Sequence, residues 1–206
     1  MVRKFSTRGR MALAAVVVGI LGVGATAGIV AWAAGTPTLV KGTQLGSLGW
    51  YTNNYATGVG PMGVVFDGTY LWTSNYSGNS VTRISPTTGA GTTFALPSGA
   101  VQPVGIAFDG TYIWTANSLT NNVTRITPST GAGTNYALPS GAISPRGVVF
   151  DGTNIWTSNS GTSAVSKVNA STGAVVGTYA LPAYSNPVSV AYDGAYIWTE
   201  IGRAHV

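Results

Sequence analysis

The chain has 206 residues, of which 7% are charged, 45% are hydrophobic and 29 are glycine. A chain this apolar is not disordered, and its glycine and threonine content excludes a mainly helical protein. The formal net charge of +5 suggests an anionic partner. Its distribution argues otherwise, because Arg3, Lys4, Arg8 and Arg10 crowd the N-terminus while Arg83, Arg125 and Lys167 are dispersed. No basic stripe with interleaved aromatics remains, so nucleic acid is not expected as a partner. With no cysteine, stability must come from packing and hydrogen bonds, and the redox compartment stays open.

From Met11 to Ala34 the chain runs 24 residues without a charge. About 20 apolar residues suffice to cross a bilayer as a helix. The basic cluster before this segment predicts that its N-terminal side stays cytoplasmic and that everything after Ala34 is translocated. An extracytoplasmic location follows. Two readings remain open: a signal peptide cleaved near Ala31-Trp32-Ala33, or an uncleaved anchor that holds the protein to the membrane through residues 11–34. Residues 35–60 read as a linker that ends in a possible closing strand.

Beyond residue 60 the sequence repeats. Pro61, Pro103, Pro145 and Pro187 are 42 residues apart, as are Asp67, Asp109, Asp151 and Asp193, and Trp72, Trp114, Trp156 and Trp198. Each unit divides into four short strands. In the first unit these are Gly63–Phe66, Tyr70–Asn75, Val81–Ile84 and Thr92–Leu96. The Asp67-Gly68 dipeptide separates the first two, as suits a tight turn in which glycine takes positive φ. A polar loop, Tyr76–Ser80, joins the second and third, and a PTTGAG turn joins the third and fourth.

Four antiparallel strands in this length match one blade of a β-propeller. The fold class expected is therefore all-β, a propeller fragment of 42-residue blades preceded by an N-terminal apolar helix. Units 61–102, 103–144 and 145–186 are complete, and 187–199 begins a fourth. A blade stacks on its neighbours through both faces, so its first strand should be apolar throughout, as GVVF and GIAF are. The repeated tryptophan is expected to pack between blades. The stretch Trp50–Gly60 echoes the end of a fourth strand, as in GTNYALPSGAIS, and is a candidate to close the last blade.

After Thr199 the repeat stops. Residues 200–206 read Glu-Ile-Gly-Arg-Ala-His-Val, and in one frame a common sequencing-library adapter translates as Ile-Gly-Arg-Ala-His-Val. These residues are expected to be adapter read-through, a reading that different codons in the nucleotide record would overturn. His205 and Glu200, the chain's only histidine and glutamate, then fall away.

Candidate chemistry is sparse. The four aspartates sit one per unit in a turn, far from one another. If strands alternate in direction, the end of the third strand lies beside the start of the second. That predicts one ion pair per blade: Asp67 with Arg83, Asp109 with Arg125, and Asp151 with Lys167. No G-x-S-x-G elbow, metal-ligand cluster or phosphate loop is present, so no catalytic residue, metal or cofactor is expected. The loops between strands 2 and 3 and the returns between strands 4 and 1 share one face, which varies among units (YSGNS, SLTNN, SGTSA). The candidate ligand-binding residues there are Arg146, Asn75, Asn117, Asn159 and Tyr76. Arg146 stands where the other units have Met62, Val104 and Val188. A solvated arginine, and asparagines that bond local backbone, are the plainer readings of the same residues.

The phrases PVGIAFDGTYIWTANS and VTRITPSTGAG resemble the repeats of streptogramin (virginiamycin B) lyase-like propellers and their NHL and YVTN-type relatives, over about residues 61–199. The resemblance implies a propeller and, in the lyases, metal-assisted opening of a cyclic depsipeptide lactone by His and Glu side chains. No position of this chain matches those residues. The function expected is thus a non-catalytic extracytoplasmic propeller that binds protein, peptide or glycan on its loop face. The alternative is a fragment of a lyase-like enzyme without its catalytic blades.

Overall fold

The computed structural model describes residues 29–33, 36–40 and 54–200, and the chain divides into two units, Met1–Asn54 and Tyr55–Val206. In the first, β1 (Ile29–Ala33) pairs antiparallel with β2 (Thr36–Val40). The rest of the expected apolar helix over residues 11–34 lies outside the described residues, and so does the adapter-like stretch after Glu200. No described helix is long and apolar enough to cross a membrane.

The second unit is built from three four-stranded antiparallel sheets and the first hairpin of a fourth. The first blade comprises β3 (Pro61–Phe66), β4 (Leu71–Asn75), β5 (Ser80–Ile84) and β6 (Gly91–Ala95). The second comprises β7 (Pro103–Phe108), β8 (Ile113–Asn117), β9 (Asn122–Ile126) and β10 (Gly133–Ala137). The third comprises β11 (Pro145–Phe150), β12 (Asn154–Asn159), β13 (Ala164–Asn169) and β14 (Val175–Ala180). The fourth begins with β15 (Val190–Tyr192) and β16 (Ile197–Thr199). All twelve strands expected for the three full units are present, within a residue or two of their expected ends.

Strand order within each sheet follows chain order, so the first strand is one edge. Those edges meet: β3 runs beside β7, β7 beside β11, and β11 beside β15. The first strands are therefore the inner strands of the propeller. Glycine makes their close approach possible. A side chain at Gly105 would collide with the Arg146 carbonyl, and one at Gly63 would meet the Val104 carbonyl at 2.9 Å. Ser74 Oγ bridges the same seam, donating to the Val104 carbonyl at 2.6 Å and accepting from the Gly63 N–H.

The core is the space between blades. Trp72, Val81, Ile106, Ile113 and Ile126 form one buried cluster, with Phe94 and Phe108 against it. Trp114, Val123, Leu138, Ile155 and Val168 form the next, with Tyr136 and Phe150 against it. Each cluster draws residues from two successive units. This is the blade-to-blade packing expected of the tryptophan. Trp72 and Trp114 are 0% exposed, whereas Trp198, in the incomplete fourth unit, is 59% exposed. No blade among the described residues stands in front of the inner strand β3, and Val64 is 67% exposed where its counterpart Ile106 is 8% exposed.

Residues 55–60 pack like the end of a blade. The Tyr55 ring lies over Gly89 as the Phe94 ring lies over Gly131 and the Tyr136 ring over Gly173. The Gly60 carbonyl accepts from Tyr76 N–H, as the Gln102 carbonyl accepts from Ser118 N–H and the Ser144 carbonyl from Ser160 N–H.

Candidate functional site

The repeated Asp-Gly turns hold more than a change of direction. Gly68, Gly110, Gly152 and Gly194 have φ between 93° and 101°, so each turn requires glycine. Asp67 Oδ1 accepts from the N–H groups of Thr69 at 2.8 Å and Tyr70 at 2.6 Å. Asp67 Oδ2 accepts from the Trp72 indole at 2.7 Å. Asp109 with Trp114, Asp151 with Trp156 and Asp193 with Trp198 repeat the arrangement. Burial pushes the Asp67 carboxyl upward. The bonds from Tyr70, Trp72 and Thr69 and the charge of Arg83 outweigh it and hold the carboxyl below its ordinary value.

The expected ion pairs give way to another arrangement. The Arg83 guanidinium lies 4.8 Å from the centroid of the Tyr70 ring and 5.4 Å from that of Phe94, and it donates to the Pro128 carbonyl of the next blade at 2.9 Å. Arg125 lies 4.7 Å from the Tyr112 centroid and donates to the Ala170 and Ser171 carbonyls. Lys167 Nζ is 5.1 Å from the Trp156 ring. The register does bring third strand and turn together, but the indole has already taken the facing carboxylate oxygen. The cation turns to the aromatic faces and to unpaired carbonyls across the blade gap.

On the opposite face, the three candidate asparagines are placed inside the blades. Asn75, Asn117 and Asn159 are each 0% exposed. Asn75 Nδ2 donates to Ser80 Oγ and Thr82 Oγ1, and its Oδ1 accepts from Thr73 Oγ1. Thr82 Oγ1 continues to Thr93 Oγ1 on β6. Asn117 and Asn159 head the same cross-strand chain, through Thr124 to Asn135 and through Ser166 to Thr178. The asparagines thus bond neighbouring side chains rather than local backbone. This polar ladder satisfies every member of a buried row, which is what makes it tolerable in a packed sheet.

Arg146 and Tyr76 are placed differently. Arg146 is exposed on the inner strand β11, one residue from the loop-face end, where Pro145 pairs with Asn159. Its side chain makes no hydrogen bond to a described residue. Tyr76 is half-buried at the start of its loop, with its N–H bonded to Gly60. Neither side chain hydrogen-bonds to the asparagine ladder.

The loops themselves are fixed in shape. Asn79, Asn121 and Ser163 adopt positive φ, and so do Gln102, Ser144 and Asn186 in the returns. Each loop residue bonds its return: Asn79 Oδ1 accepts from Gln102 N–H, Asn121 Oδ1 from Ser144 N–H, and Ser163 Oγ from Asn186 N–H. The repeat of these small polar residues was the available signal, and their coupling across 23 residues was not legible from it.

Among the described residues no group of three or more His, Cys, Asp or Glu side chains comes together. No family model matches the chain, and no curated protein matches it. Solved structures do. A streptogramin B lyase aligns at 19% identity and a TM-score of 0.61, covering 84% of this chain and 55% of that one. The fold is a β-propeller. Virginiamycin B lyase from Staphylococcus aureus aligns at 21% identity and a TM-score of 0.60, covering 84% of this chain and 56% of that one. Hydrazine synthase of Kuenenia stuttgartiensis aligns at 23% identity and a TM-score of 0.60 over 73% of this chain and 44% of that one. The chain thus spans about half the length of the lyases it matches. At these identities the likeness describes the fold, and function must be argued from the site.

Proposed function

We propose that this propeller is a non-catalytic extracytoplasmic binding module that takes a protein, peptide or glycan ligand on the face formed by its strand 2–3 loops and strand 4–1 returns. The observation that carries the reading is the contrast between the two faces. The turn face repeats the same Asp-Gly-Trp bonding in every unit, whereas the loop face sets different side chains on one rigid frame of bonded loops. Such a frame presents variable side chains at little ordering cost, which favours recognition. Arg146, exposed where the other units carry Met62, Val104 and Val188, supplies a cation unpaired among the described residues at the mouth of the inner strands. It suits an acidic or carbonyl group on the ligand.

Peptide and glycan arrays probed with the full chain and with Arg146→Ala test the reading. Loss of a wild-type signal in a variant of unchanged thermal midpoint supports it. Identical array profiles for the two proteins would sink the role given to Arg146. The membrane segment at residues 11–34 belongs to the same reading, either as a cleaved signal or as an anchor, and N-terminal sequencing of the exported product separates these.

A second reading, a fragment of a streptogramin lyase-like enzyme without its catalytic His and Glu, is favoured by the fold likeness. Recovery of the complete open reading frame with His and Glu on the loop face of its further blades would support it.

A further inference from the structure

The turn face carries a feature that the loop-face reading does not use. A groove of about 460 Å³ opens between the first and second blades, lined by Asp67, Thr69, Tyr70, Arg83, Phe108 and Thr111. A second, of about 340 Å³, opens between the second and third blades, lined by Asp109, Thr111, Tyr112, Phe150 and Thr153. Shifted by the 42-residue repeat, most of the two linings coincide: Asp67 becomes Asp109, Thr69 becomes Thr111, Tyr70 becomes Tyr112, and Phe108 becomes Phe150, while Arg83 has no counterpart in the second lining. The far walls correspond too, with Pro128 and Ser129 in one and Ala170 and Ser171 in the other. Both volumes fall within the about 300–1,000 Å³ of small-ligand clefts.

We propose that these grooves are repeated binding sites for neutral sugar residues of a glycan, one per complete blade junction. Three observations point to that class. The first is charge. The first groove is lined by both Asp67 and Arg83, whereas the second is lined by Asp109, with Arg125 donating to the carbonyls of Ala170 and Ser171 in its wall. In the first groove the opposite charges cancel, so it has no net field to select an anion or a cation. A neutral hydroxyl-rich ligand can use both, donating to the carboxylate and accepting from the guanidinium.

The second is unused hydrogen-bonding capacity. Asp67 Oδ2 takes a single donor, the Trp72 indole, and a carboxylate oxygen has room for another. The hydroxyls of Thr69, Tyr70, Thr111 and Ser129 bond no described side chain or carbonyl. The third is the aromatic wall, made by the half-buried rings of Tyr70 with Phe108 and of Tyr112 with Phe150. The C–H face of a pyranose packs on such a surface while its rim of hydroxyls meets the polar groups. At the third junction Asn154 stands in place of the tyrosine and Lys167 in place of the arginine, so the wall is lost there.

Thr111 gives the test, because it lines both grooves and its side chain is exposed. The full chain is 15N-labelled in lauryldimethylamine oxide micelles, which carry no sugar. It is then titrated to millimolar concentration with cellotetraose, mannotetraose and chitotetraose, and with tetragalacturonate as a charged control. At least one neutral tetrasaccharide is expected to shift the amides of Gly110, Thr111, Ser129 and Ser171, with tetragalacturonate about tenfold weaker or silent. Thr111→Arg should abolish the shifts at both grooves, and Ser171→Arg only those at the second. Both changes are on exposed residues and leave the loop face intact, so failure here is distinguishable from failure of the Arg146 reading. Silence of all three neutral sugars, preference for the charged one, or binding that survives Thr111→Arg each overturns the proposal.

Discussion

The indole Nε1 of Trp72 donates to Asp67 Oδ2 at 2.7 Å, and that bond ties the inter-blade core to the turn that starts its strand. It recurs at 2.6 Å between Trp114 and Asp109 and at 2.7 Å between Trp156 and Asp151. One carboxylate therefore shapes a turn with Oδ1 and orients a buried aromatic with Oδ2. The pairing is a stability device, present even in the exposed, incomplete fourth unit between Trp198 and Asp193.

Asp109→Asn should be costly although it preserves size and turn preference. Its amide oxygen can serve the turn, but the amide nitrogen then faces the Trp114 indole, donor against donor. The unpaired indole is expected to cost about 1–3 kcal/mol. Denaturant unfolding followed by tryptophan fluorescence measures it, and a wild-type midpoint would contradict the role assigned to Oδ2.

Stability should fall in acid. Asp67 and Asp151 are held below the ordinary aspartate value of 3.8. In each, burial works upward but is outweighed by the tryptophan indole and the backbone N–H bonds. A carboxyl whose folded pKa is depressed stabilises the fold above its unfolded pKa. That contribution is lost as pH falls through the folded value. Thermal midpoints should therefore be level from neutral pH to about 5 and drop below about 4. Asp151→Asn should flatten part of that drop.

Gly105→Ala should disrupt the inner seam. The added methyl would run into the Arg146 carbonyl on β11, which is backbone and cannot rotate aside. A cost of about 1–3 kcal/mol is expected from overpacking. Gly141→Ala, where a side chain would meet nothing within 4 Å, is the matched control.

Tyr55→Ala should loosen the first blade. The ring covers Gly89 as Phe94 covers Gly131, so truncation uncovers the third-to-fourth-strand turn. About 1 kcal/mol is expected for a ring that is 37% exposed. Faster hydrogen exchange at Gly89 and Ala90, with the third blade unchanged, is the readout that separates a local effect from global unfolding.

The fold was largely legible because periodicity is a one-dimensional signal. Pro, Asp and Trp at a spacing of 42, with DG turns between apolar runs, sufficed to place twelve strands in three sheets. Less of the candidate site was legible. Asn75, Asn117 and Asn159 end a strand beside variable loops, so they read as surface residues. Yet strand register turns them inward, onto Ser80 and Thr82 or their counterparts. Arg83 was placed correctly beside the turn, but the partner expected for it, Asp67, is not the one it takes. Pro128, whose carbonyl it meets, lies 45 residues on, in the next blade.

What the sequence by itself determined is the repeat, its four strands and the tryptophan's place between blades, because hydrophobic alternation and turn chemistry act over a few residues. What only the tertiary structure decided is who bonds whom across the gap. The Asp67 carboxylate had two claimants, the Trp72 indole and the Arg83 guanidinium. The indole is buried, where an unpaired donor is expensive, and the guanidinium has aromatic faces and a neighbouring carbonyl to turn to. That competition is settled by burial in three dimensions, and it leaves the arginine facing the groove between the blades.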